Sequence, residues 1–114
     1  MQIWLAEREL LVGVTKLQSI AVEVAGYSLA TLTLVGHDLS GTSPRLEVTL
    51  LTSDDLEDWV IVATGVSLTS AGIASQALKA GTAPWGRYAR AEVSLSGTDP
   101  MTVYSLALGL FTSS

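Results

Sequence analysis

The chain of 114 residues has no cysteine, three prolines, one histidine and only seven aromatic side chains. Without thiols there is no disulfide framework and no thiolate site for zinc. That absence fits a reducing compartment, or a particle that meets either environment. Charge is also scarce. Only 15% of the residues are Asp, Glu, Lys or Arg, where a globular protein ordinarily has about 25%. The six bases, Arg8, Lys16, Arg45, Lys79, Arg87 and Arg90, are scattered, and eleven acids leave a net charge of −5. Gripping nucleic acid relies on Lys and Arg displacing counterions from phosphates, so neither nucleic acid nor an anionic membrane is an expected partner.

Signatures are missing too. No nucleotide-binding loop, nucleophile elbow or metal-ligand spacing occurs, and no cofactor is expected. The nineteen-residue uncharged run "VIVATGVSLTSAGIASQAL", residues 60–78, is long enough for a membrane span. It is broken by Gly65 and Gly72 and mixed with Ser and Thr, and it reads as two short strands and a turn. The N-terminus lacks a basic segment, and Glu7, Arg8 and Glu9 interrupt its apolar stretch, unlike a secretory signal.

What the chain does have is apolar surface to spare: 48% hydrophobic residues and a mean hydropathy of +0.44. A domain of this size has much exterior per residue. With so few charges to cover it, part of that exterior must be Ala, Ser, Thr, Val and Leu, a composition tolerated in water when a partner covers it. This predicts a subunit of an assembly.

Period-two alternation dominates. "RLEVTL" sets Leu46, Val48 and Leu50 against Arg45, Glu47 and Thr49. "YARAEVSL" sets Ala89, Ala91, Val93 and Leu95 against Tyr88, Arg90, Glu92 and Ser94. "VYSLALGLF" has Tyr104, Leu106, Leu108 and Leu110 on one side and small residues on the other. Such alternation marks strands with one face in a core. "SLATLTLV" is expected to be buried on both faces, and residues 1–18 to form an extended N-terminal arm or strand. The whole, residues 1–114, is predicted to be one all-β domain, an antiparallel β-sandwich or jelly roll of seven to nine short strands.

Leu-Ser-Gly-Thr-x-Pro occurs twice, at Leu39 and fifty-six residues later at Leu95. Gly supplies unusual backbone angles, Thr, Ser and Asp bond back to the local chain, and Pro suits a strand entrance. Each copy is expected to connect a hairpin, giving two related hairpins over residues 28–53 and 86–111.

Candidate sites are few. Asp54, Asp55, Glu57 and Asp58 could offer oxygens to calcium, but lack the EF-hand spacing and read as a solvated turn. His37, followed by Asp38, could join a serine in a triad, which is recognised only by geometry; the plainer reading is a polar residue at a strand end. Glu23, Glu47 and Glu92 are expected to face outward singly. Trp59 is expected in the core. Trp85, in "TAPWGRY", with Arg87, Tyr88 and Arg90, is the expected interface patch, since aromatics and Arg are enriched at interfaces.

"SGTSPRLEVTLLTSDDLEDW" followed by "GRYARAEVSLSGTDPMTVYSLAL" resembles small β-sandwich structural and decoration proteins of tailed-bacteriophage virions, over about residues 20–111. One departure is Leu56-Glu57-Asp58, where such loops often carry Gly. The resemblance implies a non-enzymatic virion protein, a decoration or cement subunit assembling with itself and with a major capsid or other virion protein. A glycan- or host-surface-binding module and a tail or baseplate component are the alternatives.

Overall fold

The computed structural model describes residues 2–79 and 86–112, and it is all-β. Among the described residues seven strands follow one another: β1 (Gln2–Val12), β2 (Thr15–Gln18), β3 (Val22–Glu23), β4 (Leu29–Ser53), β5 (Val60–Leu68), β6 (Gly72–Lys79) and β7 (Tyr88–Phe111). Every pairing between them is antiparallel. The uncharged run 60–78 resolves into β5, a turn and β6, and the N-terminal segment is the strand β1.

The architecture departs from short strands in one respect. β4 has 25 residues and β7 has 24, and they pair along their whole lengths, from Leu29 opposite Phe111 to Ser53 opposite Tyr88. Straight, 25 residues would run roughly 80 Å at about 3.3 Å each. The longest dimension of the molecule is 43 Å, so the two-stranded ribbon folds back on itself. The N-terminal half of β4 and the C-terminal half of β7 form a first layer, flanked by β1 and β6. Their other halves form a second layer, flanked by β2 and β3 on one side and β5 on the other.

The fold-back occurs where the two Gly-Thr-x-Pro segments lie opposite each other, with Thr42 paired to Thr98. Gly41 and Gly97 have φ of 117° and 125°, and Ser43 and Asp99 have φ of 50° and 49°. Between Ser40 and Arg45 each strand contributes one extra residue to the ladder. The corner is therefore closely two-fold symmetric, which is why the sequence repeats there. A side chain on Gly41 would lie 2.7 Å from the Asp99 carbonyl oxygen and 2.9 Å from Pro100 Cα. One on Gly97 would lie 2.9 Å from the Ser43 carbonyl oxygen and 3.0 Å from Pro44 Cα.

This corrects the expected pair of hairpins. Segments 28–53 and 86–111 are each one bent strand, and each is the other's partner. Backbone angles that turn a chain also bend a strand without ending it, and local turn chemistry carries no information about what lies across the ladder.

Folding the ribbon brings its inner faces together. Leu32, Leu34, Leu106, Leu108 and Leu110 of the first layer and Leu46, Val48, Leu50, Val93 and Leu95 of the second are all at most 2% exposed, in one cluster with Tyr104. Burying each such side chain yields about 1.5–3 kcal/mol. "SLATLTLV" is not buried on both faces: Ala30, Leu32 and Leu34 are buried, while Thr31 and Thr33 turn outward and are half-buried. By contrast Ser105 and Ala107, on the outer side of β7, are buried as well, being too short to rise above their neighbours.

Gly41→Ala and Gly97→Ala each place Cβ against fixed backbone at a left-handed φ. Overpacking and strain of this kind cost about 1–3 kcal/mol each. Each variant should lose roughly 3 kcal/mol or more in urea denaturation, whereas Gly13→Ala, with no atom within 4 Å of the new Cβ, should lose only the part owed to its φ of 82°.

Candidate interaction surface

The two layers differ in what they turn outward. On the second layer Arg45 pairs with Glu47 at 2.9 Å, Lys16 with Glu92 at 3.6 Å and Arg87 with Glu23 at 3.5 Å. Thus Glu23, Glu47 and Glu92 do face outward, each beside a cation. The Arg90 guanidinium lies 4.1 Å from the Trp59 ring centroid, and that of Arg87 lies 5.3 Å from the Tyr88 ring. Trp59 is thereby corrected: it is half-buried outside the core, roofed by Arg90, with its indole N–H donating to the Leu56 carbonyl at 3.3 Å. Alternation could not place it, because it precedes the first ladder position of β5.

The first layer is the opposite. Across its outer side, β6 brings Ile73, Ser75 and Ala77, β4 brings Val35, Thr33 and Thr31, β7 brings Ser105, Ala107 and Gly109, and β1 brings Trp4 and Gln2, all in register. None is ionisable. The surface is low, with Ile73 72% exposed, Phe111 49% and Trp4 48% around it. A shallow groove of about 300 Å³ runs along Gln2, Thr31, Thr33, Ala107, Gly109 and Phe111.

This uncharged face is bounded by a polar cluster built on two bulges. β1 carries one extra residue between Ala6 and Glu9, where Arg8 has φ 47°, and β4 carries one at His37. Both reach the central strand at Ser105. The Arg8 backbone N–H donates to Ser105 Oγ at 3.0 Å, and Ser105 Oγ lies 2.8 Å from His37 Nε2. His37 is therefore mid-strand in a bulge, not at a strand end. With Oγ accepting from Arg8, its proton is free for the ring nitrogen. Serine and histidine do meet, then, but among the described residues no carboxylate bonds the other ring nitrogen, the third group a triad needs to orient its base. What the contacts accomplish is a brace across three strands.

The acidic loop closes on itself. Asp55 Oδ1 accepts the backbone N–H groups of Glu57 and Asp58, each at 2.9 Å, and the Ser53 hydroxyl at 2.9 Å. These bonds, Asp58 first, then Glu57, then Ser53, hold its carboxyl below the usual value of 3.8. Asp54 accepts the Arg87 N–H at 3.2 Å. One carboxylate oxygen of Asp55 and one of Asp54 are thus bonded within the protein.

Of the expected interface patch, Arg87, Tyr88 and Arg90 lie together on the charged second layer, and Trp85 lies outside the described residues. The uncharged face on the first layer was not singled out from sequence, though its signal was present in the small residues opposite the leucines of "LATLTL" and "YSLALGL".

Among the solved structures that share the fold are two of infectious bursal disease virus. A chain in the structure of infectious bursal disease virus, Gx strain, superposes with a TM-score of 0.62 at 15% identity, covering 100% of this chain and 32% of its own. One from the Gt strain gives 0.60 at 13%, covering 97% and 31%. The present chain thus spans about a third of the length of either. At these identities the likeness is one of fold, and the two belong to that virus rather than to a tailed bacteriophage. No family model and no curated protein matches the chain.

Tyr104, 1% exposed inside the sandwich, has its phenol pushed up from 10.0 to about 12, by burial first and by the nearby Glu9 charge second. Above pH 10 an unfolded chain releases this proton and the folded one keeps it, so folding stability should fall by about 1.4 kcal/mol per pH unit until the folded phenol ionises. Urea titrations between pH 9 and 11.5 should show this slope, and Tyr104→Phe should remove that part of it.

Proposed function

We propose that the chain is a non-enzymatic structural protein of a virion, a decoration or cement subunit on the exterior of the capsid, with itself and a major capsid or other virion protein as partners. The observation that carries this reading is the segregation of charge between the outer sides of the two layers. An uncharged, low, Thr- and Ala-rich face can be laid against a protein shell with little desolvation cost, while the charged face keeps the particle surface wet. The net charge of −5 supports an outward position, since packaged nucleic acid would repel it. The fold shared with chains of a virus structure supports the same reading. Arg87, Tyr88 and Arg90, with Trp85, form a second contact to neighbouring subunits. A virion of a bacterial virus, assembled in the host cytoplasm, is the setting that the turn-motif resemblance favours.

Weak contacts repeated around a shell add through multivalency, so single-site affinity need not be high. The test is location. Particles purified from the producing cell should carry the protein in a fixed ratio to the shell subunit, as projecting density by electron microscopy. Its absence from purified particles overturns the reading. Thr33→Lys, at the middle of the uncharged face, should leave the denaturation midpoint within a few degrees and reduce particle occupancy at least about tenfold, the cost of one desolvated charge.

A further inference from the structure

Besides its two outer sides the sandwich has an open flank, where β1 borders the first layer and β2 the second, both against β7. Between these strands lies a groove of about 270 Å³. Its floor is Val93, Tyr104 and Leu106, all buried side chains of β7. Leu5 and Ala6 of β1 make one wall, and Leu17 of β2 with Ile20 just beyond it makes the other. Glu9, Gln18 and Ser19 complete the lining. Small-molecule sites have this composition: an apolar concavity of a few hundred Å³ on which a few polar groups converge.

The polar lining divides by whether its bonds are already made. The Ser19 hydroxyl donates to the Ile20 carbonyl at 3.0 Å and accepts the Ala91 N–H at 2.9 Å, and the Gln18 amide donates to Glu92 at 3.4 Å. Two groups are left over. The Tyr104 phenol belongs to a side chain only 1% exposed, lines the groove and makes no hydrogen bond to any described residue. Among the described residues the bare polar side-chain atoms sealed inside the chain are on Gln76 and Arg90; the Tyr104 oxygen is not one of them and reaches the groove. Glu9 stands opposite Tyr104 across the β1–β7 ladder, and its carboxylate has no ion pair among the described residues. The two groups sense each other, since the Glu9 charge adds to burial in pushing the phenol up to about 12. A buried phenol and a carboxylate, both without a partner, thus converge on one apolar groove.

We infer that this groove binds a small amphipathic amine, its apolar body between Leu17, Ile20 and Leu106 and its ammonium on the Glu9 carboxylate and the Tyr104 oxygen. The choice of occupant follows from charge. An ammonium brings three donors and no acceptor, and the groove offers it two oxygens. A carboxylic acid would set a second anion beside Glu9, in a molecule whose net charge is already −5, and is repelled. A neutral alcohol can satisfy the phenol but leaves the carboxylate without a counter-charge, and hydrogen bonds to ionised partners are the stronger kind. The flank is apart from both outer sides, so the groove stays open whichever of them meets a shell, and the inference does not rest on the virion role.

Three probes of equal chain length separate the contributions: hexylamine, which is an ammonium at pH 7, hexan-1-ol and hexanoate. Each is titrated into the whole isotope-labelled chain and followed by the amide NMR signals of Leu5, Glu9, Leu17 and Ile20. Hexylammonium should shift these signals saturably, with a Kd of about 1–10 mM, the range open to so few atoms. The alcohol should bind at least about fivefold more weakly, and hexanoate should leave the signals in place. Glu9→Gln and Tyr104→Phe should each weaken hexylammonium binding about fivefold or more, with the circular dichroism spectrum unchanged. Glu57→Gln, which removes the same charge from the acidic loop, should leave the affinity within about twofold. No saturation with hexylammonium by about 50 mM, an alcohol that binds as tightly as the amine, or a Kd indifferent to both groove substitutions overturns the assignment. Saturable binding by a chain absent from purified particles would keep the groove and sink the virion role; a particle-bound chain whose groove ignores all three probes would do the reverse.

Discussion

Everything in this molecule depends on two backbones passing each other without side chains between them. Where β4 and β7 cross, Gly41 faces the carbonyls of Thr98 and Asp99, and Gly97 faces those of Thr42 and Ser43. Any Cβ there would push the ribbon apart at its fold. If the ribbon could not fold, its apolar sides would have nothing to cover them, since β1, β5 and β6 each add only to one half of it. The corner is thus the step that converts one amphipathic ribbon into a sandwich. It also sets a kinetic burden. The ribbon is closed through contacts from 35 residues apart, Ser53 with Tyr88, to 82 apart, Leu29 with Phe111, and long-range pairing of this kind slows folding. Zipping from the Ser53–Tyr88 end spreads that loop-closure cost over many small steps.

Bending a single ribbon also explains how the charges come to be sorted. Each half of β4 and β7 keeps most of its leucines inward, Leu29 and Leu51 excepted, so the outward positions decide the character of each layer. In the second layer those positions are Arg45, Glu47, Arg90 and Glu92; in the first they are Thr31, Thr33, Ser105 and Ala107. Segregation at this level needs no special device beyond alternation and a bend. The exposed ion pairs contribute little to stability, typically under about 1 kcal/mol each. Their effect is on solubility and on which side of the molecule a partner can approach.

The inner faces were legible in the sequence because period two is a local signal: Leu46, Val48, Leu50, Leu106, Leu108 and Leu110 are where alternation puts them. The corner was half legible. The repeated Gly-Thr-x-Pro announced two equivalent bends, but whether a bend ends a strand or folds it depends on the ladder across from it, which lies fifty-six residues away. Trp59 was misplaced for a related reason, since its partner Arg90 is a neighbour only through the β4–β7 ladder. Likewise the meeting of His37, Ser105 and Arg8 rests on bulges in two different strands. What low charge content did foretell is that some of the exterior would be uncharged. It could not say where, because that requires knowing which strands share a layer.

The uncharged face and the edge of β6 are contiguous, and that contiguity narrows what the molecule can be for. From Gly72 to Leu78 that strand pairs with β4 without a break and bears no charge, Lys79 closing it. β1 and β5 each have two register shifts, and β2 and β3 are four and two residues long. A free monomer gains nothing from leaving both on one side while guarding β1 with bulges and charges at the other. Edge protection costs sequence freedom, and a chain that applies it to three edges shows that its context demands it. Sheet faces without charge add area but little direction, whereas strand pairing adds register.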